Sequence, residues 1–201
     1  MKTILTALFL SPLLSFAQKK PLSFYADPAV FVKRGVNYDG GGYGGSFTAG
    51  ARISNLGIGA GVEASTIYTN LNTAFPVFAD LRYFFGHAKH GGKMPLAAFI
   101  AADFGKLVWN ASYDNGVPSD NNTFHYKGKT FFSIEPGIRF GVKPDKGFQL
   151  SLAFRAINFS TYTTHRTTRD NTGGTIPLQT TTTGPVNITN MEVALKIGYQ
   201  F

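Results

Sequence analysis

The 201-residue chain contains no cysteine and a single tryptophan. Without cysteine there is no disulfide framework, no thiolate metal site and no lipid-anchored N-terminal cysteine. Charged residues make up only 15% of the chain, whereas the surface of a soluble protein is charge-rich. Long apolar runs are missing beyond the first 17 residues, so no later segment offers the ~20 apolar residues of a membrane-crossing helix. If the chain enters a bilayer it must do so as a closed β-barrel, because hydrocarbon cannot satisfy open strand edges. The formal charge is +8, but no basic run exceeds the pairs Lys19-Lys20 and Lys33-Arg34. A charge so dispersed does not mark a nucleic-acid site, and its expected use is contact with an anionic lipid surface.

What the chain has instead is aromatic residues and glycine: 19 Phe, 9 Tyr and 23 Gly. Aromatics suit pleated surfaces and glycine weakens helices, so the mix favours strands and tight turns. The N-terminus reads as a leader. Lys2 supplies a positive charge, Ile4 to Phe16 is apolar, and Ser15-Phe16-Ala17 offers small residues before Gln18. Residues 1–17 are therefore expected to be a signal peptide and residues 18–201 one domain.

Period-2 alternation is clearest in the last stretch, Ile188–Phe201. There Met191, Val193, Leu195, Ile197, Tyr199 and Phe201 share one face, and Asn190, Glu192, Ala194, Lys196, Gly198 and Gln200 the other. The same alternation predicts strands at Ser23–Lys33, Tyr43–Ile53, Gly57–Thr69, Phe75–Phe85, Pro95–Trp109, Lys129–Val142 and Phe148–Tyr162, eight in all. The phase slips near Ile157, which predicts a bulge there. Links alternate between tight turns and longer ones, with Asn110–Gly128 and His165–Asn187 expected as long loops at one rim.

A soluble barrel of the lipocalin kind would show this alternation with its apolar face inward. The polar faces argue for the opposite arrangement. They are rich in Gly, Ser, Thr and Ala, and they carry Asp27, Glu63, Asp80, Asp103, Glu135 and Glu192 against Arg52, Arg82, Arg139, Arg155 and Lys196. Near-balanced opposite charge suits a confined interior. Small residues on the third strand should make room for Arg52. Two aromatic girdles are expected, Tyr68, Trp109, Tyr126 and Tyr162 at one rim and Tyr83, Phe85, Phe140, Phe148, Tyr199 and Phe201 at the other.

The alternating final strand, closing on Tyr199 and Phe201, resembles the C-terminal strand of bacterial outer-membrane barrels, which serves as their assembly signal. With the leader and strand count, the mature chain resembles the small outer-membrane β-barrel proteins of the OmpA-barrel/OmpX type. The resemblance implies an all-β, eight-stranded antiparallel up-and-down transmembrane β-barrel in the outer membrane of a Gram-negative bacterium. It implies partners in outer-membrane lipid and lipopolysaccharide and in the barrel-assembly machinery, and a structural or surface-interaction role. The resemblance departs from full-length OmpA in that no periplasmic cell-wall-binding domain is expected after the last strand. Candidate lipopolysaccharide contacts are the cations expected at the outer rim, Lys33, Arg34, Lys106, Lys127, Lys129, Arg166 and Arg169.

Eight staves enclose a space that side chains nearly fill, so an open pore is not expected. Two other readings stay open, a lipid A-modifying enzyme and a small-solute channel or hydrophobic-ligand carrier. For the enzyme, His125 and His165 lie near the outer rim with Ser112, Ser119, Asp114 and Asp120 nearby in sequence. No spacing among them makes a motif, since a triad is recognised by geometry, and no catalysis is expected. His87 and His90 read as loop residues. Gly128-Lys129-Thr130 and the Gly59–Ala64 stretch mimic phosphate-binding loops but open no helix, so both read as structural. No cofactor or metal is expected.

Overall fold

The computed structural model describes residues 22–67, 72–85, 96–108, 110–114, 120–143, 146–167 and 179–201. The expected leader, Tyr68, His87, His90, Trp109, Ser119 and Arg169 lie outside the described residues. Among these residues ten strands run in chain order: β1 (Leu22–Gly35), β2 (Gly41–Ile53), β3 (Leu56–Ile67), β4 (Asn72–Phe85), β5 (Leu96–Val108), β6 (Asn110–Asp114), β7 (Asp120–Lys143), β8 (Lys146–Thr167), β9 (Gln179–Thr182) and β10 (Val186–Gln200). Eight of them, all but β6 and β9, form a closed antiparallel up-and-down barrel. β1 pairs with β2 on one side and with β10 on the other, from Ala29↔Gly198 to Gly35↔Glu192, and β7 pairs with β8.

β6 and β9 correct the sequence reading. Both stretches expected as long loops contain strand: β6 and the start of β7 make up most of one, and the end of β8, all of β9 and the start of β10 lie in the other. The apolar alternation that reveals a strand needs lipid or core on one side. Beyond the barrel both faces of these segments are polar, so Thr, Tyr and Phe carry the strand by propensity while Asn and Asp imitate a loop.

The faces are inverted relative to a soluble protein. Phe24 is 75% and Phe104 65% exposed, and Val30, Val32, Val62, Leu81, Leu96, Leu195 and Ile197 stand out beside them. On the opposite pleat Asp80 and Arg82 are each 2% exposed. A belt of large apolar side chains of this extent has no place in water. The lipocalin-like alternative, with its apolar face inward, is therefore excluded.

Pairing also relocates two expected features. Gly128 faces Phe159 and Phe131 faces Ile157, so the extra residue sits on β7 at Lys129–Thr130 and not on β8. Ile157 breaks the hydrophobicity pattern because it is an apolar side chain buried in the lumen, with Phe78, Leu107, Phe131 and Phe159. Tyr126 turns inward onto that cluster, its ring 6.1 Å from Phe159, and is not part of a girdle. At the short-turn rim Tyr83 meets Phe85, and Tyr199 meets both Phe148 and Phe201 edge-on, a girdle in contact.

The glycines of β2 and β3 make room for aromatic side chains, not for Arg52. Gly50 and Gly59 pass under the Tyr25 hydroxyl, and a Cβ on Gly61 would lie 2.5 Å from the Phe78 ring. Arg52 is half-buried at the short-turn rim, where its Nε donates to the Ser54 carbonyl at 2.7 Å. That turn is a two-residue reversal with Ser54 in the left-handed region at φ 59°. Gly61→Val should therefore prevent closure, seen as loss of the compact, heat-sensitive band in unboiled detergent electrophoresis. Ala60→Val, on the outward pleat, should leave that band intact.

Candidate functional site

Every polar side chain that the alternation turns inward must find a partner inside, because the barrel wall separates it from water. Most of the charged residues do so, in three tiers. Near the short-turn rim, Arg82 Nε meets Asp80 at 2.9 Å while its Nη1 pairs with Asp27. The Tyr25 hydroxyl donates to Asp80 at 2.7 Å, and Gln149 donates to Gln200 at 2.8 Å beside them. Arg139 and Arg52 both lie over the Phe84 ring, with guanidinium-to-centroid distances of 5.1 and 4.2 Å. In the middle tier, Lys196 Nζ donates to Glu135 at 2.6 Å, and Ser151 donates to the other oxygen of that carboxylate. Asp103 is buried in the same tier, its Cα opposite that of Asp80.

In the third tier, Arg155 pairs with Glu63 and, at 3.5 Å, with Glu192. Its guanidinium also lies over Phe31 and Phe131. Lys33 completes the group, donating to Glu192 at 3.0 Å, and the Tyr38 hydroxyl caps the same carboxylate. Lys33 is thus a correction: it is 6% exposed and belongs to the interior, not to the outer rim. Its parity with Asp27 on β1 was the signal, since residues an even number apart share a face. With Lys33, six buried carboxylates face Lys33, Arg82, Arg139, Arg155, Lys196 and the half-buried Arg52.

The remaining rim cations divide. Arg34, Lys106, Lys127 and Lys129 are exposed, the last three on one flank of the barrel. Arg166 pairs through its backbone with Asn121. Toward the outer end of β7, Ser112 and His125 are cross-strand partners, with Oγ 2.9 Å from Nδ1. Tyr162 stacks on the His125 ring at 4.5 Å. His165 lies on β8 opposite Asn122 and Thr181, away from this pair in register. Asp114 and Asp120 pair through their backbones with Thr123 and Thr167. Among the side chains described, no carboxylate hydrogen-bonds to His125.

An apolar exterior, a neutralised charged lumen and a closed ladder of strands together have one environment that suits them. The chain is a transmembrane β-barrel. No protein-family model and no curated protein matches it. Among solved structures it is similar to that of Neisserial surface protein A, at 17% identity and a TM-score of 0.46, over 90% of this chain and 100% of that one. At that distance the inverted faces, not the neighbour, identify the barrel.

Removing one partner of a buried pair leaves the other charge stranded, at a cost of about 3–5 kcal/mol. Arg155→Met should show that loss as a lower urea midpoint, read by fluorescence of the single tryptophan in lipid vesicles. Replacing Glu135 and Lys196 together, by Leu and Met, should cost less than Lys196→Met alone, because only Asp103 is then left without its cation in that tier, not Asp103 and Glu135 both.

Proposed function

We propose that the protein is an integral outer-membrane barrel that presents a stiff four-stranded sheet beyond the cell surface as its interaction element. The observation that carries this reading is the length of one hairpin. β7 and β8 have 24 and 22 residues, against 12 to 15 for the other staves. A tilted strand needs about 9–11 residues to cross the bilayer. β7 leaves its last partner on β5 at Thr130 and runs on to Asp120. That is roughly 30 Å of further strand at about 3.3 Å per residue.

β6 and β9 flank this extension in the order β6–β7–β8–β9. Both have an open outer edge among the described residues, and β9 reads Gln-Thr-Thr-Thr, with no lysine, proline or bulge to blunt it. Unblunted edges are templates for another extended chain, which makes strand addition the fitting mode of partner capture. The expected leader and the apolar belt support export and insertion, and the packed lumen supports a role carried by the surface, with the barrel as its anchor.

At equal outer-membrane levels, cells carrying the full chain should adhere to immobilised protein more strongly than cells carrying a shortened hairpin. In that variant residues 112–125 and 162–181 give way to short turns; equal adhesion would sink the reading. The Ser112–His125 contact favours one rival, a lipid-modifying enzyme. His125→Ala should leave the lipid A mass spectrum unchanged, and a shifted acylation pattern would establish the rival.

A further inference from the structure

The outward flank of β7, β8 and β10 changes character within one pleat. At one level Phe132 and Met191 both lie opposite Ala156, large on either side of small. The result is a lateral groove of about 280 Å³ with Ala156 between its walls, bounded by Phe154, Ile134 and Val36. Val36 is held there by its amide, which donates to the Met191 carbonyl at 2.8 Å. One pleat nearer the outer rim the same three strands carry a hydrogen-bonded polar row. Thr189 Oγ1 donates to Asn158 Oδ1 at 2.6 Å, and Asn158 Nδ2 donates to Thr130 Oγ1 at 2.6 Å.

Cations ring this row. Lys129 donates to Asn187 beside it, Lys106 is the cross-strand partner of Thr130, and Lys127 lies one pleat above. The β7 bulge is what brings Lys129 and Thr130 out together, since two consecutive residues there face outward. The outward pleats of β5, β7, β8 and β10 carry no carboxylate among the side chains described. Apolar groove, polar ledge and uncompensated lysines follow one another in the order of a lipid's acyl chain, its polar linkage and its phosphate.

We infer that this flank is a specific site for one phosphorylated glycolipid of the outer leaflet, of the lipid A class. One acyl chain lies over Ala156, its ester or amide linkage meets Thr130, Asn158 and Thr189, and a phosphate meets Lys106 and Lys129. The site rests on the membrane reading above, because only a spanning barrel turns this flank to lipid. It goes beyond general attraction of cations to an anionic leaflet by requiring the groove and the ledge at one place.

The test is native mass spectrometry of the full chain, folded in a neutral detergent, titrated with purified bisphosphorylated lipid A. One bound lipid A per barrel is expected. Ala156→Phe, which fills the groove, and Lys106→Gln with Lys129→Gln, which remove the phosphate contacts, should each lower retention by about tenfold or more. Asn158→Ala provides a third variant that keeps both charge and groove volume and should also weaken binding. Retention unchanged in Ala156→Phe or in the lysine variant overturns the site. So does equal retention of phosphatidylglycerol or of dephosphorylated lipid A. Heat-shifted migration on gels is read on each sample first, and its loss in the unmodified chain would overturn the barrel reading rather than the site alone.

Discussion

Hydrocarbon offers no hydrogen bond, so every backbone N–H and C=O at membrane depth must be satisfied by a neighbouring strand. The pairing of β1 with β10 makes that possible, because it removes the two edges an open sheet would expose. The other features depend on it. Closure fixes which pleat faces in, the inward pleat must then hold whatever polar side chains the alternation delivers, and those side chains must neutralise one another. Among the described residues the lumen holds six cations and six anions, so its formal charges balance.

The alternation made the staves legible. Strand positions along β1 to β5 and in β10 follow from period-2 patterns, and the interior charges were readable as the polar pleat of each. Lys33 was readable too, by parity with Asp27, but its place at the end of a strand beside Arg34 disguised it as a rim residue. The interior aromatics were harder. Phe31, Phe78, Phe84, Phe99 and Phe131 sit on the same pleat as Asp and Arg, and no rule of hydrophobicity separates a ring facing lipid from one crossing a lumen. What marks them is glycine on adjoining strands, as Gly61 lies against Phe78 and Gly137 against Phe99.

The protruding sheet was not legible, and the reason is physical. A strand is revealed by the contrast between its two surroundings, and above the membrane that contrast vanishes. β7 illustrates the change: below its bulge it alternates Phe132, Ile134 and Pro136 against Ser133 and Glu135, while above it the order runs Asn, Asn, Thr, Phe, His, Tyr. Similarly, the contact between Ser112 and His125, 13 residues apart, depends on a register between β6 and β7 that no local spacing encodes.

The closing pair also dictates the order in which the molecule can be made. β10 binds β1 on one side and β8 on the other, so the strand that seals the ring lies nearly the full length of the described chain away from the strand it seals to. No partial sequence of staves has a finished wall, and an edge stays open until the last strand pairs. Contacts of such sequence separation are slow to form. Until β10 docks, the free edge of β1 has no partner on that side.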